Sequence, residues 1–389
     1  MPAAEQKSRA LVTPAVLVWA REEAGFEREV VARKLSVKPE RLAQWETGEA
    51  RPTLPQLLNL SRVYKRNPAV FYLEHPPEEH LAVHDFRRLP EAPPRPLSPE
   101  LRYEIRLAHT RREVLLSIRG ADAPASNLPR VAIRDQDPES AAGTVCDHLG
   151  VTLREQRGWR NPDVAFKRWR GALESIGVLV FQTTRVDTAE MRGFSIAERS
   201  LPVVLLNGGD APAGKCFSAI HELCHLVIRD GGLCLPGDWA DAGDNLEMVC
   251  NRIAGAVLVP ATALLGEAVV GANTGRADWS DADLRRLAGD YGVSREVVLR
   301  RLLILGRTTE RFYRRKRQQY QEEWQAQEEK QTGGYAPPHA VALNRVGRLF
   351  ARSVLESFYD GRLSASDLPR YLGLKLGHLP EFEAAVYGR

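Results

Sequence analysis

The sequence of 389 residues predicts an α+β protein that is mostly α-helical. Apolar residues recur at helical spacing through most of the chain, whereas three short apolar runs typical of strands lie close together at 177–181, 191–196 and 202–206. A few strands clustered among many helices predict a small sheet in the centre of the chain. We therefore expect an all-α region before the sheet and a second helical region after it.

Shifts in composition predict four segments. We expect a helical domain at 1–75, a linker at 76–100, a domain with the small sheet at 101–265 and a helical region at 266–389. The second segment is rich in proline, which makes a linker extended and fairly stiff.

Composition and charge limit the classes to which the protein can belong. Hydrophobic residues make up 43% of the chain and charged residues 27%, which is typical of a globular protein. The net charge of +4 and the pI near 8.8 permit contact with nucleic acid without requiring it. No apolar stretch is long enough to span a bilayer, and the first residues lack the pattern of a signal peptide, so we expect a cytoplasmic protein without a membrane partner.

The five cysteines are an odd number without paired CxxC spacing, which argues against a disulfide framework and against a structural zinc ribbon. Four of them, Cys216, Cys224, Cys234 and Cys250, fall in one segment. We expect them to be small buried apolar residues. The alternative is a redox role, which needs an exposed thiol with a lowered pKa.

The N-terminal segment contains two short predicted helices, 27–35 and 38–47, joined by a tight turn at Ser36 and Val37. Ala32 is small enough to let the two helices approach closely. Two short helices with this spacing are the geometry of a helix-turn-helix. The string Gln44-Trp-Glu-x-Gly48 followed by Arg51-Pro-Thr53 resembles the Xre/Cro-like repressors.

That resemblance implies duplex DNA as a partner and places Lys38, Glu40, Arg41 and Gln44 on the side of the second of these helices that faces the groove. Arg41 and Gln44 can contact guanine or adenine edges bidentately, whereas Lys38 is suited to phosphate. A homodimer would bind two related half-sites. Because Glu40 makes this face only weakly basic, the alternative is a helical module that dimerises or holds a protein partner.

The most informative motif is His-Glu-Leu-Cys-His at 221–225, within an apolar helical run from 217 to 228. Histidines four residues apart lie on one face of a helix, so His221 and His225 can bind a single Zn²⁺. Glu222 lies beside the pair, where it can act as a general base toward water. The alternative is that both histidines are ordinary core residues.

A catalytic zinc needs a third protein ligand, and the apolar helix predicted at 247–260 offers Glu247. A carboxylate on a buried helix is costly unless it is paired or bound to metal. Asn251 follows one turn later on the same face and is expected to orient a ligand. The alternative is that Glu247 pairs with Arg252 or with a nearby lysine.

The segment from Val164 to Pro260 resembles the ImmA/IrrE family of zinc metallopeptidases. The resemblance depends on the 217–226 helix and on the later string Glu247-x-x-Cys-Asn-x-Ile-Ala-x-x-x-Leu-Val-Pro260. It implies a compact gluzincin-like peptidase domain that cleaves or controls a partner repressor or other regulator. A helix-turn-helix domain in front is also similar to a common arrangement of that family.

Two other classes of function remain open at this point. One is a transcriptional regulator whose metal pocket is vestigial or acts as a sensor. The other is an antitoxin-like or defence-associated binding protein that uses the zinc domain to dock another protein. The presence of all four residues, two histidines at 221 and 225 and two glutamates at 222 and 247, favours a zinc endopeptidase.

Three further expectations concern the surroundings of the site. The run from Arg192 to Ile196 is expected to be an edge strand beside the metal helix, able to hold an extended substrate. The helix 161–176 is expected to direct Val164, Trp169 or Leu173 inward. The helix-turn-helix pattern at 281–302 either completes a domain core or forms a second DNA-reading element.

The predicted helix from Ser98 to about Ile118 carries four arginines, at 102, 106, 111 and 112. Charged residues on a helix usually form a solvated face, and we expect one here.

Overall fold

A computed structural model of the chain describes residues 8–77, 97–120, 126–129, 137–230, 243–273, 277–328 and 336–388, without the side chains at 229–230, 243–245 and 325–328. The described residues divide into two compact units. The first comprises 8–77 and 97–109, and the second comprises the described residues from 110 onward. Each unit has its own hydrophobic core. Within these residues, no helix is both long and apolar enough to cross a bilayer.

The first unit is all-helical, as predicted. Its elements are α1 (Pro14–Glu23), α2 (Arg28–Leu35), α3 (Pro39–Thr47), α4 (Leu54–Tyr64), a 3₁₀ turn (Pro68–Tyr72) and the first half of α5 (Pro99–Arg119). Ser36 ends α2 in the left-handed region at φ 55°, which produces the tight turn before α3. Thr53 and Gln56 form a capping box at the start of α4.

A buried ion cluster fixes the orientation of α3 within this unit. The Glu46 carboxylate accepts hydrogen bonds from Arg21 Nε at 2.7 Å and from Arg28 Nη2 at 2.9 Å. The Glu46 side chain is only 1% exposed. Removing one partner of a buried pair leaves an uncompensated charge, so α3 is tied to α1 and α2 by more than apolar packing.

The second unit includes the second half of α5, from Thr110, and continues to the end of the described residues. Its helices after α5 are α6 (Pro138–Leu149), α7 (Leu153–Trp159), α8 (Pro162–Ser175), α9 (Pro212–Asp230), α10 (Gly243–Leu258), α11 (Ala261–Leu265), α12 (Ala268–Ala272), α13 (Asp281–Tyr291), α14 (Arg295–Ile304), α15 (Glu310–Glu328), α16 (Pro338–Val346), α17 (Arg348–Tyr359), α18 (Asp367–Leu372) and α19 (Leu379–Tyr387). A small sheet among so many helices confirms the predicted fold class.

The sheet has three strands, β1 (Leu179–Thr183), β2 (Gly193–Ile196) and β3 (Val203–Asn207), in the order β1-β3-β2. β1 pairs with β3 in parallel, and β2 pairs with β3 antiparallel. The strands lie within two residues of the predicted runs. β2 is an edge strand, as expected, and α9 packs against β2 and β3.

The other edge of the sheet is covered by the C-terminal helices. Asn344 accepts hydrogen bonds through its carbonyl from Arg170 Nη1 at 2.9 Å and from Gln182 Nε2 at 3.0 Å. The ring of Phe350 on α17 meets that of Phe181 on β1 edge to face, with centroids 5.6 Å apart. The chain therefore covers the β1 edge with its own helices.

The helix hairpin α13–α14 completes the core of the second unit. Its buried apolar residues belong to the same cluster as those of α9 and α10. Arg301 on α14 is 2% exposed and donates a hydrogen bond to the Val259 carbonyl at 2.8 Å. Of the two expectations for this hairpin, the structure supports the core role.

The expectation of a solvated arginine face on α5 is wrong. Arg106, Arg111 and Arg112 are between 5% and 8% exposed. Arg106 donates a hydrogen bond to the Glu23 carbonyl at 3.0 Å, and Arg112 donates to the Ser200 carbonyl at 3.0 Å. Arginine buries its apolar stem while the guanidinium binds backbone carbonyls, which a charge pattern alone does not show.

The expectation for α8 is half correct. Trp169 and Leu173 are buried, but Val164 is 39% exposed. The buried stripe instead begins at Ala165 and Phe166, which share a face with Trp169 and Leu173 at helical spacing. Val164 therefore lies on the other side of the helix.

Candidate metal centre

The helix α9 is a rigid support because it is buried on every side in its central part. All described side chains from Cys216 to Ile228 are buried. At its start, Asp210 accepts a hydrogen bond from the Ala211 N–H at 2.8 Å, and Pro212 occupies the first helical position. A helix held in this way presents His221 and His225 in a fixed orientation.

The two histidines and Glu247 converge as predicted. The His221 Nε2 and His225 Nε2 atoms are 3.1 Å apart. Glu247 Oε2 lies 3.2 Å from His221 Nε2, and Glu247 Oε1 lies 3.0 Å from His225 Nε2. In the part of the chain that the structure describes, this is the one group of three side chains suited to holding a metal ion.

These distances fit zinc. Ligand atoms about 2.0–2.2 Å from a tetrahedral Zn²⁺ are separated from one another by about 3.3 Å, close to the spacing seen here. Two imidazole nitrogens and a carboxylate are a ligand set that zinc commonly takes in catalytic sites. Zinc would therefore be held by His221, His225 and Glu247.

The Glu247 carboxylate is bound to the histidines and not to Arg252, whose side chain is exposed. Burial acts to raise the pKa of Glu247. The hydrogen bonds with His221 and His225 outweigh burial, so the pKa lies well below the ordinary range of a glutamate. Glu247 is therefore a carboxylate at neutral pH, as a metal ligand must be.

Glu222 is buried beside the histidine pair, with 1% of its surface exposed. It is not one of the three clustered ligand residues. Its carboxylate lies against the backbone of Gly193, the first residue of β2: a Cβ atom built on Gly193 would be 3.2 Å from Glu222 Oε1. The sequence gives no sign of this contact, because the two residues lie on different elements.

Cys250 was not predicted to be part of the site. Its Sγ atom lies 3.6 Å from the Nδ1 atom of His225, on the side of the ring opposite the candidate metal position. Asn251, the predicted orienting residue, is half-buried, and its Oδ1 atom has no hydrogen-bond partner among the described residues. Its proposed role as an orienting residue stays a prediction.

The other cysteines behave as small apolar residues where the structure describes them. Cys216 and Cys224 are buried, and burial raises the pKa of each thiol to about 12. Cys234 lies outside the described residues. For Cys216 and Cys224, burial and a raised pKa argue against the redox alternative.

The predicted DNA-contact residues lie along α3 and its N-cap in the first unit. Lys38 is the N-cap of α3 and is exposed, as is Glu40. Arg41 Nη1 donates a hydrogen bond to Gln44 Oε1 at 3.0 Å, and the Arg41 guanidinium lies 5.9 Å from the ring centroid of Trp45. Arg41 and Gln44 therefore form one linked polar surface.

Asn207 is a further residue that the sequence did not single out. Its side-chain amide donates hydrogen bonds to the Val186 and Met191 carbonyls at 2.8 and 2.9 Å, and its Oδ1 accepts from the Gly209 N–H at 2.9 Å. These bonds hold the loop that leads into β2. An asparagine that ends an apolar strand is the one signal that could have indicated it.

A helix with two histidines one turn apart, a carboxylate from the next helix and a buried glutamate beside the pair define a metallopeptidase-like domain. Residues 173–303 match the family model of the IrrE N-terminal-like domain, peptidase M78, and residues 17–71 match a helix-turn-helix model. These matches confirm the resemblance to an ImmA/IrrE-like domain preceded by an Xre/Cro-like domain. Neither a curated protein nor a solved structure matches the chain.

The two matches assign two broad properties. The helix-turn-helix supports DNA binding and a role in transcription regulation, and the peptidase M78 match implies a metal, typically zinc. The matched segment includes α13 and α14, in agreement with their place in the core around α9.

Proposed function

We propose that the protein is a zinc-dependent endopeptidase, joined to a DNA-binding unit, that cleaves one extended segment of a partner regulator. The observation that carries the proposal is the triangle of His221, His225 and Glu247 atoms, 3.0–3.2 Å apart, with Glu222 buried beside it. Metal ligands and a separate carboxylate at one place are the groups that peptide hydrolysis requires.

Each of these residues has a chemical task. When bound, Zn²⁺ supplies a Lewis acid that polarises the scissile carbonyl. Glu222 takes a proton from the attacking water and passes it to the leaving nitrogen, so that one carboxylate serves first as base and then as acid. The apolar surroundings of α9 exclude other water from the carboxylate.

The outer edge of β2, with which no described strand pairs, supports an extended substrate. Asn207 on β3 donates its backbone N–H to the Arg192 carbonyl at 2.8 Å. Because bonded and non-bonded residues alternate in an antiparallel pair, Phe194 also bonds to β3, whereas Gly193 and Ser195 direct their N–H and C=O groups away from it. An extended peptide can add to β2 through these two residues.

The shortness of this edge favours selective cleavage. β2 has four residues and offers outward backbone groups at two of them, so it provides few hydrogen bonds to a substrate. Weak binding at the cleavage site has to be supplemented by contacts elsewhere on the partner. A regulator brought close through the DNA-binding unit, in the cytoplasm, would meet that requirement.

The test compares wild type with Glu222→Gln, which removes the base and keeps the metal ligands. Each zinc-loaded protein is incubated with the soluble proteins of the source cell, and new N-termini are identified by mass spectrometry. We expect one or a few termini with wild type and none with Glu222→Gln. Broad fragmentation would contradict selectivity.

The second candidate is a DNA-binding regulator whose zinc domain acts as a sensor or protein dock, which the helix-turn-helix match favours. It predicts no new termini under any metal condition, together with DNA binding that changes when zinc is added or removed.

A further inference from the structure

The residue at the start of the edge strand is a glycine that the backbone does not require. Gly193 is buried, and its φ lies outside the left-handed region where glycine is favoured. Glycine also weakens a strand, because it loses the most conformational freedom on folding and has no side chain to pack. The reason for glycine at this position therefore has to be that neighbouring atoms leave no room for a side chain.

The neighbours of Gly193 show what occupies that space. A Cβ atom at this position would lie 3.2 Å from Glu222 Oε1, 3.3 Å from Glu222 Cγ and 3.2 Å from the Leu205 carbonyl oxygen. All three distances are shorter than an ordinary carbon contact, for which the optimum is about 3.5–4.0 Å. Two of the three atoms belong to the glutamate beside the histidine pair.

We infer that Gly193 is a positioning residue for Glu222: the missing side chain leaves the room in which the carboxylate lies between α9 and β2. The role of Glu222 as the base rests on the function proposed above. A general base must lie within hydrogen-bond reach of the proton that it takes, and a misplacement of about 1 Å can reduce the rate about 100-fold. The contact itself is independent of any activity.

The same residue links the base to the substrate. Gly193 directs its own N–H and C=O away from β3, toward the outer edge of β2, while its Cα packs on Glu222. A peptide that adds to β2 is thereby held at a fixed distance from the carboxylate. A side chain at 193 would disturb the carboxylate without removing the backbone groups that hold the peptide, so turnover should fall more than binding.

The first experiment measures thermal unfolding of the full chain without added metal, in a double-mutant cycle of Gly193→Ala and Glu222→Ala. We expect Gly193→Ala to lower the Tm of the wild type by about 2–4 °C, as overpacking does. In the Glu222→Ala background the new methyl group meets the Leu205 carbonyl oxygen but no carboxylate, so the Tm should fall clearly less than in the wild-type background. An equal fall in Tm in both backgrounds would show that the Glu222 carboxylate does not limit the space at residue 193, and would overturn the inference.

The matched control is Gly289→Ala on α13, where a Cβ atom would have no neighbour within 4 Å and φ is not positive. Its effect on the Tm should be the same in both backgrounds. Should Gly193→Ala alone fail to fold, recovery of folding in the double variant would support the inference, and failure of the double variant as well would contradict it.

The second experiment measures cleavage of the partner peptide identified with wild type. Gly193→Ala should reduce kcat by about 10- to 100-fold with KM and zinc content unchanged, and Gly289→Ala should match wild type. An unchanged kcat, or a rise in KM alone, would overturn the positioning role. Wild type that cleaves nothing, with the coupling in Tm intact, would overturn the proposed function and leave the contact established.

Discussion

The histidine pair depends on side chains that lie outside the five-residue motif. Cys250 Sγ lies 3.6 Å from Nδ1 of His225, which leaves Nε2 directed at Glu247. A neighbour that contacts one ring nitrogen of a histidine leaves the other ring nitrogen available to a metal. At the scale of single residues, the motif at 221–225 therefore provides two ligands and a carboxylate. Neighbouring residues on β2 and α10 hold these side chains in place.

Removal of one ligand should remove the metal. We expect His225→Ala to lower zinc affinity by more than about 100-fold, since loss of an orienting neighbour alone commonly costs 10- to 100-fold. Zinc content after dialysis, measured by elemental mass spectrometry, checks this. Glu222→Gln is the control and should retain about one zinc per chain. Full occupancy of His225→Ala would show that the metal binds elsewhere.

The buried thiols should be unreactive in the folded protein. Burial raises the pKa of Cys216 and Cys224 from 9.0 to about 12, so thiolate is scarce at pH 8. The folded state holds these protons more tightly than the unfolded state, so both thiols add stability below pH 9 and this contribution is lost as the pH rises toward 12. Iodoacetamide labelling mapped by mass spectrometry should modify both residues only after unfolding in urea. Labelling of native protein at the unfolded rate would contradict their burial.

At the scale of elements, the sequence predicted the features that depend on residues close together in the chain. The i,i+4 histidines, the three strands and the turn at Ser36 were found where the sequence indicated them. Arg106 and Arg112 were misjudged because their burial depends on carbonyls at Glu23 and Ser200, far away in sequence. Distant partners leave no periodic signal.

The contact between Gly193 and Glu222 was missed for the same reason. A glycine in a strand pattern indicates a bulge or a close approach, but the pattern does not say what approaches. Glu247 could be predicted because burial of a carboxylate is costly by itself, whatever its partner. From the sequence it is therefore easier to predict that a buried polar residue such as Glu247 needs a partner than to predict which residue contacts it.

The helix α3 leads to a prediction about DNA recognition. Arg41 and Gln44 are hydrogen-bonded to each other at 3.0 Å, so they would contact base edges as one unit. Arg41→Ala and Gln44→Ala should each relax base preference by about 1–3 kcal/mol, whereas exposed Lys38→Ala should weaken binding evenly across sequences. Affinities for a set of duplexes at two salt concentrations check this. Equal preferences for wild type and the double variant would assign the surface to protein contacts.

At the scale of the whole molecule, the two edges of the sheet in the second unit have different surroundings. Asn344 and Phe350 cover the β1 edge with C-terminal helices, whereas no described strand pairs with the outer edge of β2. A strand edge without a partner strand can pair with an extended chain, so the outer edge of β2 beside a candidate metal site favours a substrate-binding role. The fold thus restricts strand addition to one place.

Zinc should stabilise one unit and not the other. The candidate ligands lie on α9 and α10, whose apolar residues belong to the core of the second unit, while the first unit has a separate core. Zinc at about 100 times its Kd should add roughly 2.7 kcal/mol to whatever unfolds with the site. Hydrogen exchange followed by mass spectrometry should show slower exchange at 212–228 and 246–258 on zinc addition, and no change at 14–64.

His225→Ala is the control for that measurement and should show no zinc-dependent protection in either unit. Protection limited to 212–228 and 246–258 would mean that the metal acts as a local clamp between α9 and α10. Protection that also reached 14–64 would contradict the separation of the cores and would show that metal binding is transmitted to the helices that carry Arg41 and Gln44. A DNA-binding unit coupled in this way would respond to zinc directly, as a sensor does, and its affinity for duplex DNA would change with zinc even in Glu222→Gln.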